Sequence, residues 1–155
     1  MRSEPQPLQH PVTGAGPGKM PSVLAVTDTH SLLWYAGKQH RKLGRAALAH
    51  FQRADASQAA VYVPAMVLAE VSELARLRRI QLPTPFGTWL DEVFANKCII
   101  AQPLTAAILR RAHDLCALPD WRDRLVAATA AVLEVPLITR DTAIADCARV
   151  ELLWD

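Results

Sequence analysis

The chain has 155 residues, of which 51% are hydrophobic and 21% charged, and its formal net charge is +2. These values are typical of one globular domain whose core needs no disulfide or metal to hold it together. The net charge is too small to indicate a nucleic-acid-binding protein by itself, and no apolar run approaches the roughly 18 residues of a membrane helix.

The first 20 residues are predicted to form a disordered tail, and residues 21–155 a single folded domain. The tail contains four prolines and three glycines, and it lacks the apolar segment of a secretory signal. A second hypothesis for residues 1–19 is a vector remnant or an unused upstream start, because the first predicted strand follows Met20 closely. The three cysteines, Cys98, Cys116 and Cys147, lie far apart, which favours reduced thiols in a cytoplasmic protein.

Strands and helices are predicted to alternate along the domain. The predicted strands are residues 22–27, 61–63, 98–101, 137–139 and 151–154. The predicted helices are residues 29–36, 43–54, 64–79, 86–95, 104–116, 120–133 and 142–147. This alternation predicts an α/β fold with a mainly parallel sheet of four to five strands.

Four carboxylates fall at informative places in this pattern. Asp28 follows the first strand, Asp141 follows the fourth strand, and Asp123 lies in the first turn of a helix. Ligands bind at the carboxyl ends of parallel strands, so Asp28 and Asp141 would converge if the first and fourth strands were neighbours. On the helix after the second strand, Glu70 lies about 90° from the centre of the apolar face and Glu73 about 150°, so Glu70 is preferred.

Each of these carboxylates also has a structural explanation. Asp28 and Asp141 precede helices, where aspartate is a preferred N-cap, and Asp120 with Asp123 fits the cap and third positions of one helix. Taken together, however, clustered carboxylates repel one another and need a compensating cation. Magnesium and manganese prefer such all-oxygen sites.

At these residues the chain resembles the PIN family, and in particular the VapC-like toxins of bacterial toxin–antitoxin pairs. The resemblance lies in four motifs, which occur in the family's order and spacing: VTDTHSLLW from residue 26, VPAMVLAEVSEL from residue 63, DWRDRLVAA from residue 120, and LITRD from residue 137. Two departures are Ala69, where many relatives have tryptophan, and Trp121-Arg122 in place of Pro-Phe. Neither departure removes a carboxylate.

The resemblance implies a three-layer α/β/α domain and a metal-dependent endoribonuclease. Asp28, Glu70, Asp123 and Asp141 would be the catalytic residues and would bind one or two Mg²⁺ or Mn²⁺ ions, while Asp120 would be either a further ligand or only a helix cap. Outside these carboxylates, the residues implied to contact them or the substrate are Thr29, Thr139 and Arg124. The implied partners are RNA, a VapB-like antitoxin and a second copy of the chain in a homodimer.

Two other readings stay open. In the first, the domain is a catalytically silent PIN fold that acts as a binding or scaffolding module, although such a module has no need of mutually repelling carboxylates. In the second, it is a response-regulator-like α/β domain, which would have a phosphorylatable aspartate after a strand in mid-chain and a lysine late in the chain. This interpretation is disfavoured, because Asp123 lies within a predicted helix and no lysine follows Lys97. Basic residues in 38–45, 76–79 and 110–111 could guide a phosphate backbone to the acidic site.

Overall fold

The computed structural model describes residues 23–115 and 117–155, so the predicted tail, residue 22 of the predicted first strand and Cys116 lie outside the described residues. Within these ranges the strands are β1 (Leu24–Thr27), β2 (Ala60–Pro64), β3 (Ile99–Gln102) and β4 (Leu137–Ile138). The helices are α1 (Thr29–Ala36), α2 (Arg45–Asp55), α3 (Ala65–Arg76), α4 (Phe86–Val93), α5 (Ala106–His113), α6 (Trp121–Leu133) and α7 (Thr142–Ala148), with a short 3-10 helix at His40–Lys42. None of these helices is long and apolar enough to cross a membrane.

The four strands form one sheet in the order β3-β2-β1-β4, and every pairing in it is parallel. The central strand β1 pairs with β2 through Val26 and Tyr62, and with β4 through Val26 and Leu137. Helices flank the sheet, so the predicted three-layer α/β fold is confirmed. The first and fourth strands are neighbours, which is the arrangement that the convergence of Asp28 and Asp141 required.

The core forms around β1 and α6. Ala25, Val26 and Thr27 of β1 are fully buried, as expected for a parallel strand covered on both faces. Residues 125–130 of α6 are all buried, and this helix contacts β1, α3, α5 and α7. A helix that is apolar all round is held by packing on every side. The first turn of α6 is therefore set in place by the core behind it.

The C-terminal segment forms a single bridge to the sheet instead of the predicted strand at 151–154. The Leu137 N–H donates to the Glu151 carbonyl at 2.9 Å, and the Leu153 N–H donates to the Leu137 carbonyl at 2.9 Å. A longer ladder does not form, because β4 has two residues and the chain turns towards α2. There, the Ala47 N–H donates to the Trp154 carbonyl at 3.1 Å.

Gly44 allows this close approach of the C-terminal segment to the start of α2. A Cβ atom at position 44 would lie 2.2 Å from the Trp154 carbonyl oxygen and 2.7 Å from its carbonyl carbon. Both are backbone atoms, so no side-chain rotation would relieve the clash. The absence of a side chain at this position therefore lets the end of the chain satisfy a free N–H at the helix start.

Most helices begin or end one to three residues from the predicted positions, and at two of these ends the structure shows a local cause. Helix α3 ends at Arg76 and not at residue 79, because Arg78 adopts a left-handed conformation (φ 55°) and the Arg79 N–H turns back to the Leu74 carbonyl at 2.9 Å. Helix α5 begins at Ala106 and not at residue 104. Its start is marked by Thr105, whose hydroxyl oxygen accepts from the Ile108 N–H at 3.3 Å.

A buried histidine links α2 to β2. His50 is fully buried, and its Nε2 lies 2.9 Å from the Ala60 carbonyl oxygen. Its Nδ1 lies 2.9 Å from Nη2 of Arg53. A neutral ring that donates from Nε2 and accepts at Nδ1 satisfies both contacts. Burial lowers the pKa of His50, the hydrogen bond to Ala60 opposes this shift, and the positive charge of Arg53 adds to it.

Candidate acidic active site

Asp28 lies at the point where β1 meets α1, at the carboxyl edge of the sheet. Its backbone N–H donates to the Ile138 carbonyl at 3.1 Å, which ties it to the neighbouring strand β4. Its Oδ1 accepts from the Ser31 N–H at 2.9 Å and so caps α1. The cap occupies one carboxylate oxygen, and Oδ2 makes no hydrogen bond to any described residue, so it remains able to bind a ligand.

Asp141 repeats this arrangement after β4. Its Oδ1 accepts from the Ala143 N–H at 3.0 Å and caps α7. Its own N–H donates to Oγ1 of Thr139 at 3.1 Å, so Thr139 holds the backbone of Asp141. Thr139 is buried, whereas Asp141 is exposed. Asp141 is nevertheless close enough to Asp123 to raise the pKa of that carboxyl group.

The surroundings of Asp123 disfavour its ionised form. Asp123 lies in the first turn of α6 and is half-buried. Burial raises its pKa, and the negative charges of Asp120, Asp141 and Glu70 raise it further, while Arg122 partly opposes them. A cation placed near Asp123 would relieve both effects, because it would favour the ionised form.

Glu70 faces the same region from α3. Its side chain is 17% exposed, and its Oε2 lies 3.5 Å from Nη1 of Arg122. Glu73, one turn further along the helix, is exposed. The choice of Glu70 over Glu73 from the helical periodicity therefore agrees with their positions.

Asp120 caps α6 and binds the side chain of Arg122. Its Oδ1 accepts from the Arg122 backbone N–H at 2.9 Å and from Nε at 3.1 Å, and its Oδ2 accepts from Nη2 at 2.8 Å. The hydrogen bonds from Arg122 lower the pKa of Asp120, and Asp120 in turn raises the pKa of Arg122. Asp120 is thus both a helix cap and half of a bidentate ion pair.

These groups surround one cavity of about 270 Å³ at the carboxyl edge of the sheet. Its polar lining consists of Asp28, Thr29, His30, Glu70, Asp120, Arg122, Asp123 and Thr139. The structure thus brings together three of the four predicted catalytic carboxylates, with Asp120 beside them, while Asp141 lies just outside the lining. The apolar residues that line the cavity, among them Val126 and Leu137, belong to the hydrophobic core.

Arg124 and Arg122, which both lie near this cavity, bind different partners. Arg124 points its Nη1 at backbone carbonyls, those of Leu118 at 2.6 Å and Pro119 at 3.0 Å, and so holds the loop before α6. Arg122 instead contacts Glu70 and Asp120. Sequence reasoning noted Arg122 only as a departure from the family motif. Its position two residues after the capping Asp120 was the available signal for the bidentate pair.

The donor set of the cavity suits a hard divalent cation. Mg²⁺ and Mn²⁺ prefer carboxylate and carbonyl oxygens, and the partly buried Asp123 needs a nearby positive charge. Among residues 23–115 and 117–155, no three histidine, cysteine or acidic side chains lie close enough together to hold one ion jointly. A Mg²⁺ ion in this arrangement would therefore be held by one or two carboxylates and by water. The positive charge that the structure does place among the carboxylates is the guanidinium of Arg122.

Comparison with solved structures gives the same fold at low sequence identity. The VapBC2 complex from Rickettsia felis, bound to a DNA fragment from its promoter, matches with a TM-score of 0.63 and 14% identity, over 85% of this chain and 99% of that chain. FitAcB from Neisseria gonorrhoeae matches with a TM-score of 0.54 and 17% identity, over 83% and 96%. A toxin–antitoxin complex from Klebsiella pneumoniae matches with a TM-score of 0.51 and 20% identity, over 78% and 89%.

The sequence itself matches one family model. A search of curated proteins gave no match. The family model described as PIN domain matches residues 25–150, which is most of the chain and includes all four predicted catalytic carboxylates. The order of strands and helices around the acidic cavity lies within this matched range. The chain therefore belongs to the PIN domain family.

Proposed function

We propose that this protein is a metal-dependent endoribonuclease and the toxin component of a VapBC-type toxin–antitoxin pair. The observation that carries the proposal is the meeting of Asp28, Glu70 and Asp123 around one cavity at the carboxyl edge of the sheet. These residues come from three different elements. Mutually repelling carboxylates are costly to bring together, so their convergence is best explained by a cation that they bind.

In this proposal Asp28, Glu70, Asp123 and Asp141 would hold Mg²⁺ or Mn²⁺. A bound divalent ion supplies a water of lowered pKa and neutralises charge on a phosphodiester. The chain's own residues provide the frame. The cap of α1 fixes the Asp28 carboxylate through Oδ1, and Thr139 fixes the backbone of Asp141. Such positioning matters, because misplaced ligands lower both metal affinity and rate.

The proposed partners follow from family membership and from the structural neighbours. Those neighbours are toxin–antitoxin complexes, which supports an antitoxin partner for this chain. We extend this to a VapB-like antitoxin, to an RNA substrate and to a homodimer of this chain. Because antitoxin and RNA would be met in the cytoplasm, we place the protein there.

A second candidate is a catalytically silent PIN module, and one observation favours it. Arg122 already provides a positive charge to Glu70 and Asp120. If this ion pair neutralised the cavity fully, a metal ion would bind weakly and the domain would serve only to bind a partner. The raised pKa of Asp123 argues against full neutralisation, since the charge of Arg122 does not outweigh burial and the three carboxylates.

The test is cleavage of total RNA by purified, antitoxin-free protein with Mg²⁺ or Mn²⁺, and then with EDTA. We expect cleavage that stops in EDTA and in Asp28→Asn. Helix α3 offers a matched pair: Glu70→Gln should lose activity, whereas Glu73→Gln, the same change at an exposed position, should retain it. If well-folded protein cuts no RNA class under these conditions, the silent module becomes the better description.

A further inference from the structure

Arg122 joins carboxylates from two different elements of the acidic cavity. It binds Asp120 through two side-chain hydrogen bonds, from Nε at 3.1 Å and from Nη2 at 2.8 Å. It also approaches Glu70 of α3, with 3.5 Å between Nη1 and Oε2. A single guanidinium thus bridges the start of α6 and the middle of α3.

The stability of α6 does not explain this placement. A positive side chain in the first turn of a helix is unfavourable, because the helix dipole is positive there. The cap itself uses the backbone N–H of Arg122 and would form with any residue except proline at this position. The guanidinium instead provides the counter-charge for Glu70, whose side chain is only 17% exposed.

The contacts of Arg122 divide the cavity into two halves. Glu70 and Asp120 have a resident cation. Asp28, Asp123 and Asp141 make no ion pair with any described residue, and two of the three line the same cavity. Among the described residues, only this second half therefore lacks an ion-pair partner.

We propose that Arg122 is the permanent cation of the Glu70–Asp120 half, so that the site takes one divalent ion, beside Asp28 and Asp123, which both line the cavity. Of the carboxylates named as ligands under the proposed function, Glu70 is then held by Arg122 instead of by the metal. Arg122 then contacts the RNA phosphate in place of a second ion, and this inference rests on the proposed nuclease function. A guanidinium suits the task, because its fork of N–H donors matches phosphate oxygens. Its Nη1 is 3.5 Å from Glu70, and its side chain is 46% exposed, so a donor remains accessible.

The direct test is the number of Mn²⁺ ions bound per chain, measured by isothermal titration calorimetry on the purified full chain without RNA. We expect one ion for the wild-type protein and two for Arg122→Gln, in which the Glu70–Asp120 half loses its cation. Arg122→Lys keeps the charge and should bind one. Arg110→Gln removes an equal charge from the exposed surface of α5 and should also bind one. Thermal unfolding verifies that each variant is folded.

The outcomes separate this inference from the proposed function. Two ions on the wild-type protein, or one ion on Arg122→Gln, would overturn the role of Arg122 while leaving a metal-dependent nuclease intact. No ion on the wild-type protein would overturn both. Cleavage of RNA by the wild-type protein provides the independent measure of the function.

Phosphate contact is tested by single-stranded RNA binding in an inactive background. Asp28→Asn and the double variant Asp28→Asn/Arg122→Gln are compared over a series of salt concentrations. Each phosphate contact on a single strand contributes about 0.7 to the slope of log K against log salt, so the slope should fall by about 0.7 in the double variant. Equal slopes would mean that Arg122 does not touch phosphate.

Discussion

By the way in which they are positioned, the charged residues of the cavity form a strand-end half and a helix half, a different division from the one made by the ion pairs of Arg122. At the strand ends, Asp28 and Asp141 are held by hydrogen bonds to backbone N–H groups within three residues of their own positions. On α3 and α6, Glu70 and Arg122 are held by each other across the fold. The first half depends on local chain geometry and the second on how two helices pack. Substitutions should therefore affect the two halves differently.

The largest effect is expected from Asp123→Asn, in the half built by packing. Loss of this carboxylate should lower RNA cleavage more than about 100-fold, since even indirect disturbance of metal ligands costs 10- to 100-fold. The melting temperature should rise at pH 7, because the raised pKa of Asp123 means that its ionised form destabilises the folded state. RNA cleavage and thermal unfolding measure the two changes. A lower melting temperature would contradict the electrostatic argument.

Two substitutions of Asp28 separate its chemistry from its cap. Asn caps a helix as well as Asp does, so Asp28→Asn should lose cleavage with little change in stability. Asp28→Ala should lose cleavage and also about 1 kcal/mol of the free energy of unfolding. Urea unfolding of both variants at pH 7 measures the difference. Equal stability of the two would show that the Ser31 N–H does not depend on this cap.

The corresponding two substitutions at Asp120 test the cap of α6 in the same way. Asp120→Ala removes the cap of α6 and should cost about 1 kcal/mol, whereas Asp120→Asn keeps the cap and loses only an exposed ion pair, worth at most about 1 kcal/mol. Hydrogen bonds from Arg122 lower the pKa of Asp120. The contribution of the pair is therefore present above the ordinary value of 3.8 and is lost as the pH falls through the lower folded value.

Acid unfolding measures this pH dependence. The stability difference between the wild-type protein and Asp120→Asn should be constant at neutral pH and should shrink below about pH 3.8. A difference that is already absent at pH 7 would mean that the ion pair contributes nothing to stability. In that case Arg122 would be held by Glu70 or by substrate alone.

His50 lies outside the cavity and should make the stability of the folded protein depend on pH. This effect serves as a reference for the pH effects measured in the two halves of the cavity. Burial lowers the folded pKa of His50 below its ordinary value of 6.5, so the unfolded chain binds more protons in acid. Stability should therefore fall as the pH drops below about 6.5, and should stop falling below the folded pKa. In His50→Gln this loss should be absent. Equilibrium unfolding between pH 7.5 and 5 measures it on the wild-type protein and the variant, and parallel curves would rule His50 out as its source.

The sequence alone was enough to predict the fold and one half of the cavity. Alternating strands and helices predicted the parallel sheet, and aspartates that follow strands predicted side chains at its carboxyl edge. Both depend on interactions between near neighbours, which a sequence displays. The strand predicted at 151–154 shows where prediction from sequence stops being reliable. This segment makes only one bridge to the sheet, and Trp154 packs against Gly44 instead.

Tertiary structure alone decided the charge balance of the cavity. The amphipathic pattern of α3 selected Glu70 over Glu73, but it could not say what Glu70 would meet. The partner is Arg122, which reaches Glu70 because α3 and α6 pack against each other and because the buried body of α6 fixes its first turn. A contact between residues this far apart in the chain depends on the position and orientation of both helices, and no local pattern in either segment encodes that.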